Sequence, residues 1–304
     1  MRLLVLGANG MAGRMISTYF VENGHSVTGF DLGPVTHCTR GVSGNALDQE
    51  AMKALVASED FDAVINCIGL LNQFAEENHA LAVYLNSYLP HFLAQITKDS
   101  RTRILHMSTD CVFSGKRGGY TETDLRDGET FYDRSKALGE LEDNKNLTLR
   151  GSIVGPDCNP KGIGLLNWFM QQKGTVRGFT KAMWTGQTTL QVAKTMEAAL
   201  MEGAVGLVNT VPATFISKYD MLKLFNHYMR HDEVEIQAYD GFVADKSLVR
   251  TNFGFTYQIP DYETMFAELA DWMRAHKDLY PHYDLLGGLQ HGETEINDYC
   301  WHAA

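Results

Sequence analysis

The first half of the chain alternates short apolar runs with longer amphipathic ones. Runs at 3–6, 26–30, 63–69, 103–108 and 147–154 are rich in Val, Ile and Leu and end at turn or cap residues. Such runs predict strands buried on both faces. Between them, apolar residues recur at helical spacing over 11–23, 49–57, 79–98 and 131–143. Strands alternating with helices in this way build a parallel sheet covered on both sides, so the expected class is α/β with a doubly wound sheet. Beyond residue 155 the pattern loosens. It predicts helices near 163–172, 190–202, 217–230 and 262–277 and a strand at 206–210. In the last helix Phe266, Leu269 and Met273 mark a buried stripe. The segment from 285 to 304 has no usable periodicity.

Composition narrows the function. Of 304 residues, 44% are apolar and 21% charged, ordinary globular usage, and no Gly/Ser/Pro-rich linker divides the chain. With 26 basic against 37 acidic residues the net charge is −11, which disfavours nucleic acid and anionic membrane as partners. The five cysteines are far apart and form no C-x-x-C pair, so neither a disulfide framework nor a zinc site is indicated. The first apolar run stops at Gly7, too short for a secretory signal core. The longest apolar stretch, 63–71, contains Asn66 and is far below the ~20 residues of a membrane span. A cytoplasmic protein with reduced thiols is expected.

Directly after the first predicted strand stands Gly7-Ala8-Asn9-Gly10-Met11-Ala12-Gly13. A strand turning sharply into a helix presents free backbone N–H groups and a positive dipole end, a cradle for a pyrophosphate. Glycine supplies the turn and lets phosphate and sheet approach closely. Asp31 closes the second predicted strand, where a carboxylate binds ribose hydroxyls and repels a 2′-phosphate. This is a Rossmann-type signature. It predicts NAD(H) or NADP(H), with NAD slightly favoured by Asp31, while Arg40 nearby keeps NADP open. The expected division is a dinucleotide-binding domain of residues 1–155 plus 186–212, with 156–185 and 213–304 forming a substrate lobe and tail.

Tyr132-Asp133-Arg134-Ser135-Lys136 sets a phenol and an ammonium one helical turn apart. A cation beside a phenol favours phenolate and makes it a better proton donor. Thr109, in Ser108-Thr109-Asp110 at the end of a predicted parallel strand, sits where open α/β sheets bind ligands. A second pair, Tyr219 and Lys223, reads as a helix surface.

Glycine loop, strand-end Ser-Thr-Asp and Tyr-x-x-x-Lys, in this order, resemble the extended short-chain dehydrogenase/reductase superfamily. The stretches 108–115, 120–124 and 132–140, with Asn66, Asn86, Arg150-Gly151-Ser152 and Gly186-Gln187-Thr188-Thr189, resemble its dTDP-4-dehydrorhamnose reductase group. The resemblance covers about residues 1–212. It implies Thr109, Tyr132 and Lys136 as catalytic residues. It implies cofactor contacts at Gly7, Asn9, Gly10, Met11, Gly13, Asp31, Leu47, Cys67, Gly69 and Asn86, with Tyr132 and Lys136. Substrate contacts are expected at Asp110, Cys111, Ser152, Trp184 and Gln187. The implied partner is a nucleotide-diphosphate keto sugar, reduced at C4, and pairing of helices 79–98 and 131–143 between subunits would give a homodimer.

Related chemistries differ at named positions. Dehydratases of this superfamily carry Thr-Asp-Glu, whereas Cys111 holds the third position here. Epimerase–reductases carry a cysteine there, but also a histidine some forty residues after the tyrosine, and this chain has none between His106 and His227. Nucleotide-sugar epimerases and non-catalytic regulatory subunits remain the alternatives to a reductase. Lys161, Arg177 and Lys181 are candidates for a substrate diphosphate, and Trp168, Phe169 and Trp184 for stacking. His227 and His231, one turn apart, lack a third ligand, and no metal is expected.

Overall fold

A computed structural model describes residues 1–285. Seven strands run parallel in the order β10-β6-β5-β4-β1-β2-β3: β1 (Arg2–Leu6), β2 (Ser26–Asp31), β3 (Arg40–Ser43), β4 (Ala63–Asn66), β5 (Arg103–Met107), β6 (Leu147–Arg150) and β10 (Gly206–Asn209). Alternate residues of each strand serve opposite faces. Leu3 and Val5 pack with Ile16 and Phe20 of α1 (Met11–Glu22) and Met196 of α8 (Thr189–Glu202). Leu4 and Leu6 pack with Met52 of α2 (Gln49–Val56) and Phe92 of α5 (Leu89–Ile96). The doubly wound parallel sheet is therefore as expected, and its strand order reverses beside β1, leaving a crevice at the carboxyl ends of β1, β4 and β5.

Several elements depart from the hydrophobic pattern. The expected helix 79–98 is broken into α4 (His79–Ala82), a π-turn (Val83–Tyr88) and α5, preceded by α3 (Asn72–Glu77). The expected strand 147–154 splits at Gly151 into β6 and β7 (Ser152–Val154), which leaves the main sheet to pair with β9 (Gly186–Thr188). Helix α6 (Phe131–Leu138) stops five residues before the expected end. A Cβ at Gly139, its C-cap, would collide with the Asn86 carbonyl, so only glycine allows the helix end to pack this closely on the π-turn.

The remaining elements are α7 (Leu165–Met170), β8 (Thr175–Trp184), β11 (Ile216–Ser217), α9 (Lys218–Arg230), β12 (Glu235–Asp245) and α10 (Tyr262–Ala275). β8 pairs with β11 and β12 in a three-stranded sheet. Phe225 of α9 and Phe266, Leu269 and Met273 of α10 fill a second core with Phe169 and Leu285. No described helix is long and apolar enough to cross a membrane. All but the first residue of the 285–304 tail lies outside the described residues.

Candidate active site

A cleft of about 430 Å³ opens over the crevice. At one end it is floored by Gly10, Met11, Ala12 and Gly13, the first turn of α1. That helix has Gly10 as N-cap, no side-chain cap and no acidic residue in its first turn, so its leading N–H groups face the cleft unneutralised. Gly7 adopts φ +77°, and a Cβ at Gly13 would collide with the Gly7 carbonyl. Only glycine keeps this turn tight enough to leave room for a phosphate. The donor set and the cradle fit a dinucleotide pyrophosphate.

At the carboxyl end of β2, Asp31 accepts hydrogen bonds from the Asn9 N–H (2.9 Å) and the Leu32 N–H (2.8 Å), fixing the carboxylate. Arg40 is turned to Glu59 at 2.7 Å. Cys67 and Gly69 line the cleft, and burial pushes the Cys67 thiol up to about 12.

Thr109, Tyr132 and Lys136 line the same cleft. Thr109 follows β5, and its hydroxyl accepts the Cys111 N–H at 3.1 Å and donates to Asp110 at 3.3 Å. Tyr132 and Lys136 share one face of α6. A capping box of Thr130 and Asp133 starts that helix, and the Tyr132 N–H donates to Glu76 of α3 at 3.1 Å. Burial raises the Tyr132 phenol above its ordinary value, keeping it protonated. Lys136 donates to the Met107 carbonyl at 2.7 Å, and burial lowers it to about 8, against the opposing charge of Glu140. The cluster can donate a proton and hold the resulting charge.

The far wall is Ser152, Trp184, Met221 and Lys218, with Asp157 and Ile163 at the rim. Ser152 donates to the buried Asp110 at 2.9 Å, and burial raises that carboxyl. Cys111 lines the cleft, pushed up by burial to about 11. Lys218, the first residue of α9, is buried and lowered by desolvation to about 8 beside Asp110 and Cys111. Lys218, Met221 and Glu76 were not legible as site residues, since each comes from an element distant in sequence from the motifs.

Other expected contacts are not among the residues lining this cleft. Asn86, in the π-turn, is fully buried: its amide bonds both the N–H and the carbonyl of Leu70 and the Ser135 hydroxyl. It braces α6 instead of facing the cleft. Gln187 is spent on the Thr210 carbonyl (2.7 Å) and the Thr195 hydroxyl (2.6 Å). Leu47 is exposed, its carbonyl accepting from the Tyr84 hydroxyl. Lys181 pairs with Asp240, and Arg177 stacks on Tyr239, both on the surface of the second sheet, and Lys161 is exposed in a loop. Trp168 and Phe169 belong to the second core, and His227 pairs with Asp232. Lys223 lies over the Tyr219 ring on α9.

An uncapped glycine-floored helix end, running into a Thr–Tyr–Lys cluster on a doubly wound sheet, defines the extended short-chain dehydrogenase/reductase class. Residues 1–151 match the family model described as the RmlD substrate binding domain, and over that stretch the chain belongs to this family. It is 33% identical over 144 residues to a probable low-salt glycan biosynthesis reductase of Haloferax volcanii, covering 46% of this chain and 48% of the relative. It is 32% identical over 155 residues to a dTDP-4-dehydrorhamnose reductase of Streptomyces griseus, covering 50% and 48%. The match thus spans about half the length of these curated relatives. Among solved structures, a dTDP-4-dehydrorhamnose reductase of Clostridium acetobutylicum superposes with a TM-score of 0.72 at 20% identity, over 90% of this chain and 100% of that one. This likeness extends the shared fold through the C-terminal lobe.

Proposed function

We propose that the protein reduces the C4 keto group of a nucleotide-activated sugar with NAD(P)H, the sugar being a 6-deoxy hexose. One observation carries this reading: the Thr109–Tyr132–Lys136 cluster and the open end of α1 share a single cleft. When bound, the dinucleotide supplies hydride. Tyr132 delivers a proton to the carbonyl oxygen as charge develops on it, and the Thr109 hydroxyl positions that oxygen. Lys136 stabilises the phenolate left behind and keeps two N–H donors for ribose hydroxyls once its bond to Met107 is made. The fixed Asp31 carboxylate and the engagement of Arg40 with Glu59 support NADH over NADPH. Four cysteines (Cys38, Cys67, Cys111 and Cys158) stand as free thiols, which fits a reducing cytoplasm. Exposed Val83 and Tyr88 of the π-turn and Leu138 of α6 support pairing of two copies.

The test is a screen of dTDP-, UDP-, GDP- and CDP-linked 4-keto sugars against NADH and NADPH, with Tyr132→Phe beside the native protein. Oxidation that depends on keto sugar, cut by about 10²–10⁴-fold in the variant, is expected. Undiminished turnover by Tyr132→Phe would overturn the assignment.

A further inference from the structure

Below the cleft, one buried carboxylate gathers hydrogen bonds from the segments that carry the cluster. Glu140 lies just past the end of α6 and is almost fully buried. One of its oxygens accepts from the Ser108 hydroxyl at 2.6 Å and from Arg150 Nε at 2.7 Å. The other accepts from Arg150 Nη2 at 2.6 Å and Arg126 Nε at 2.8 Å. Ser108 immediately precedes Thr109 on the tip of β5. Arg126 sits in the loop that delivers Tyr132, and the fully buried Arg150 belongs to β6. A carboxylate serving only as Arg150's counter-ion would need no bond to the strand tip.

We propose that Glu140 is a positioning residue of the active site: it sets the strand tip bearing Thr109 against the helix bearing Tyr132 and Lys136. The geometry stands on the four hydrogen bonds; the catalytic consequence rests on the reductase reading above. Lys136 is faced by Cys67 from the loop after β4, by His106 from β5 and by Glu140 from its own helix end. Cys67 and His106 are both held neutral by burial, so Glu140 is the neighbour that favours the ammonium.

Two substitutions separate the functions. Ser108→Ala keeps the charge and cuts the tie, so kcat falls about tenfold while the Lys136 midpoint stays in place. Glu140→Gln removes the charge and lowers that midpoint by about one pH unit. The midpoint is read without substrate, by ¹³C NMR of ε-labelled lysine with Lys136→Met as assignment control. It therefore judges the proposal even if no keto sugar is turned over, the result that would sink the reductase reading instead. Should Glu140→Gln not fold, Glu140→Asp keeps the charge but cannot span the same donors, and lowered kcat at a native midpoint is expected. A folded Glu140→Gln with an unmoved midpoint, or Ser108→Ala or Glu140→Asp with native kcat, overturns the proposal.

Discussion

Tyr132 and Lys136 are pushed in opposite directions by the same burial. The phenol is raised and stays a donor, while the ammonium is brought down to about 8. A lysine lowered in this way is charged below that value and neutral above it, and the neutral form cannot stabilise phenolate. The kcat/KM of reduction is therefore expected to hold a plateau near neutrality and fall as pH rises through about 8, measured as a pH–rate profile. Lys218 titrates in the same range at the opposite wall. Lys218→Met should raise KM for the nucleotide sugar about tenfold and leave dinucleotide affinity unchanged in a fluorescence titration. That Thr109, Tyr132 and Lys136 meet at one cleft was legible in the sequence, because the spacing sets fixed residue types near fixed elements. Asn86 and Gln187 could not be sorted that way, because an amide looks the same in a chain whether it faces a ligand or braces a helix.

At the scale of elements, the glycine turn and first helix followed directly from the sequence. Wholly apolar runs bounded by glycine have few alternatives when a parallel sheet is available. Gly13→Ala puts a methyl against the Gly7 carbonyl and is expected to weaken NADH binding by at least about 100-fold, read by fluorescence beside a thermal-unfolding control. β3 (Arg-Gly-Val-Ser) carries no apolar run to mark it, being a short, exposed edge strand. β12 is mostly exposed and its pairing shifts register between Tyr239 and Val243, which erases the alternation that would mark it. The π-turn was hidden for another reason. The hydrophobic pattern marks helix over 79–98 but not where its winding widens, and Asn86 in that segment bonds Leu70 and Ser135.

Across the whole molecule, the buried Glu140–Arg150 pair joins β6, the tip of β5 and, through Asn209, the outer strand β10. Arg150→Met leaves that carboxylate without its main partner and should cost about 3–5 kcal/mol in urea denaturation. Its hydrogen bonds hold Glu140 below the usual carboxylate range. A depressed carboxylate stabilises fully above its unfolded value near 4.3, and that contribution is lost as pH falls through the lower folded value, so the native protein should lose more stability on acidification than the variant.

The strand order has a further consequence for biosynthesis. β10 pairs with β6, yet more than fifty residues, including β8 and α8, separate the two along the chain. While a ribosome is still making that intervening stretch, the nearly finished sheet has a bare outer margin at β6, able to stick to any extended peptide nearby. The emerging polypeptide thus carries an unpaired strand edge at β6 until residues 206–209 arrive to pair with it.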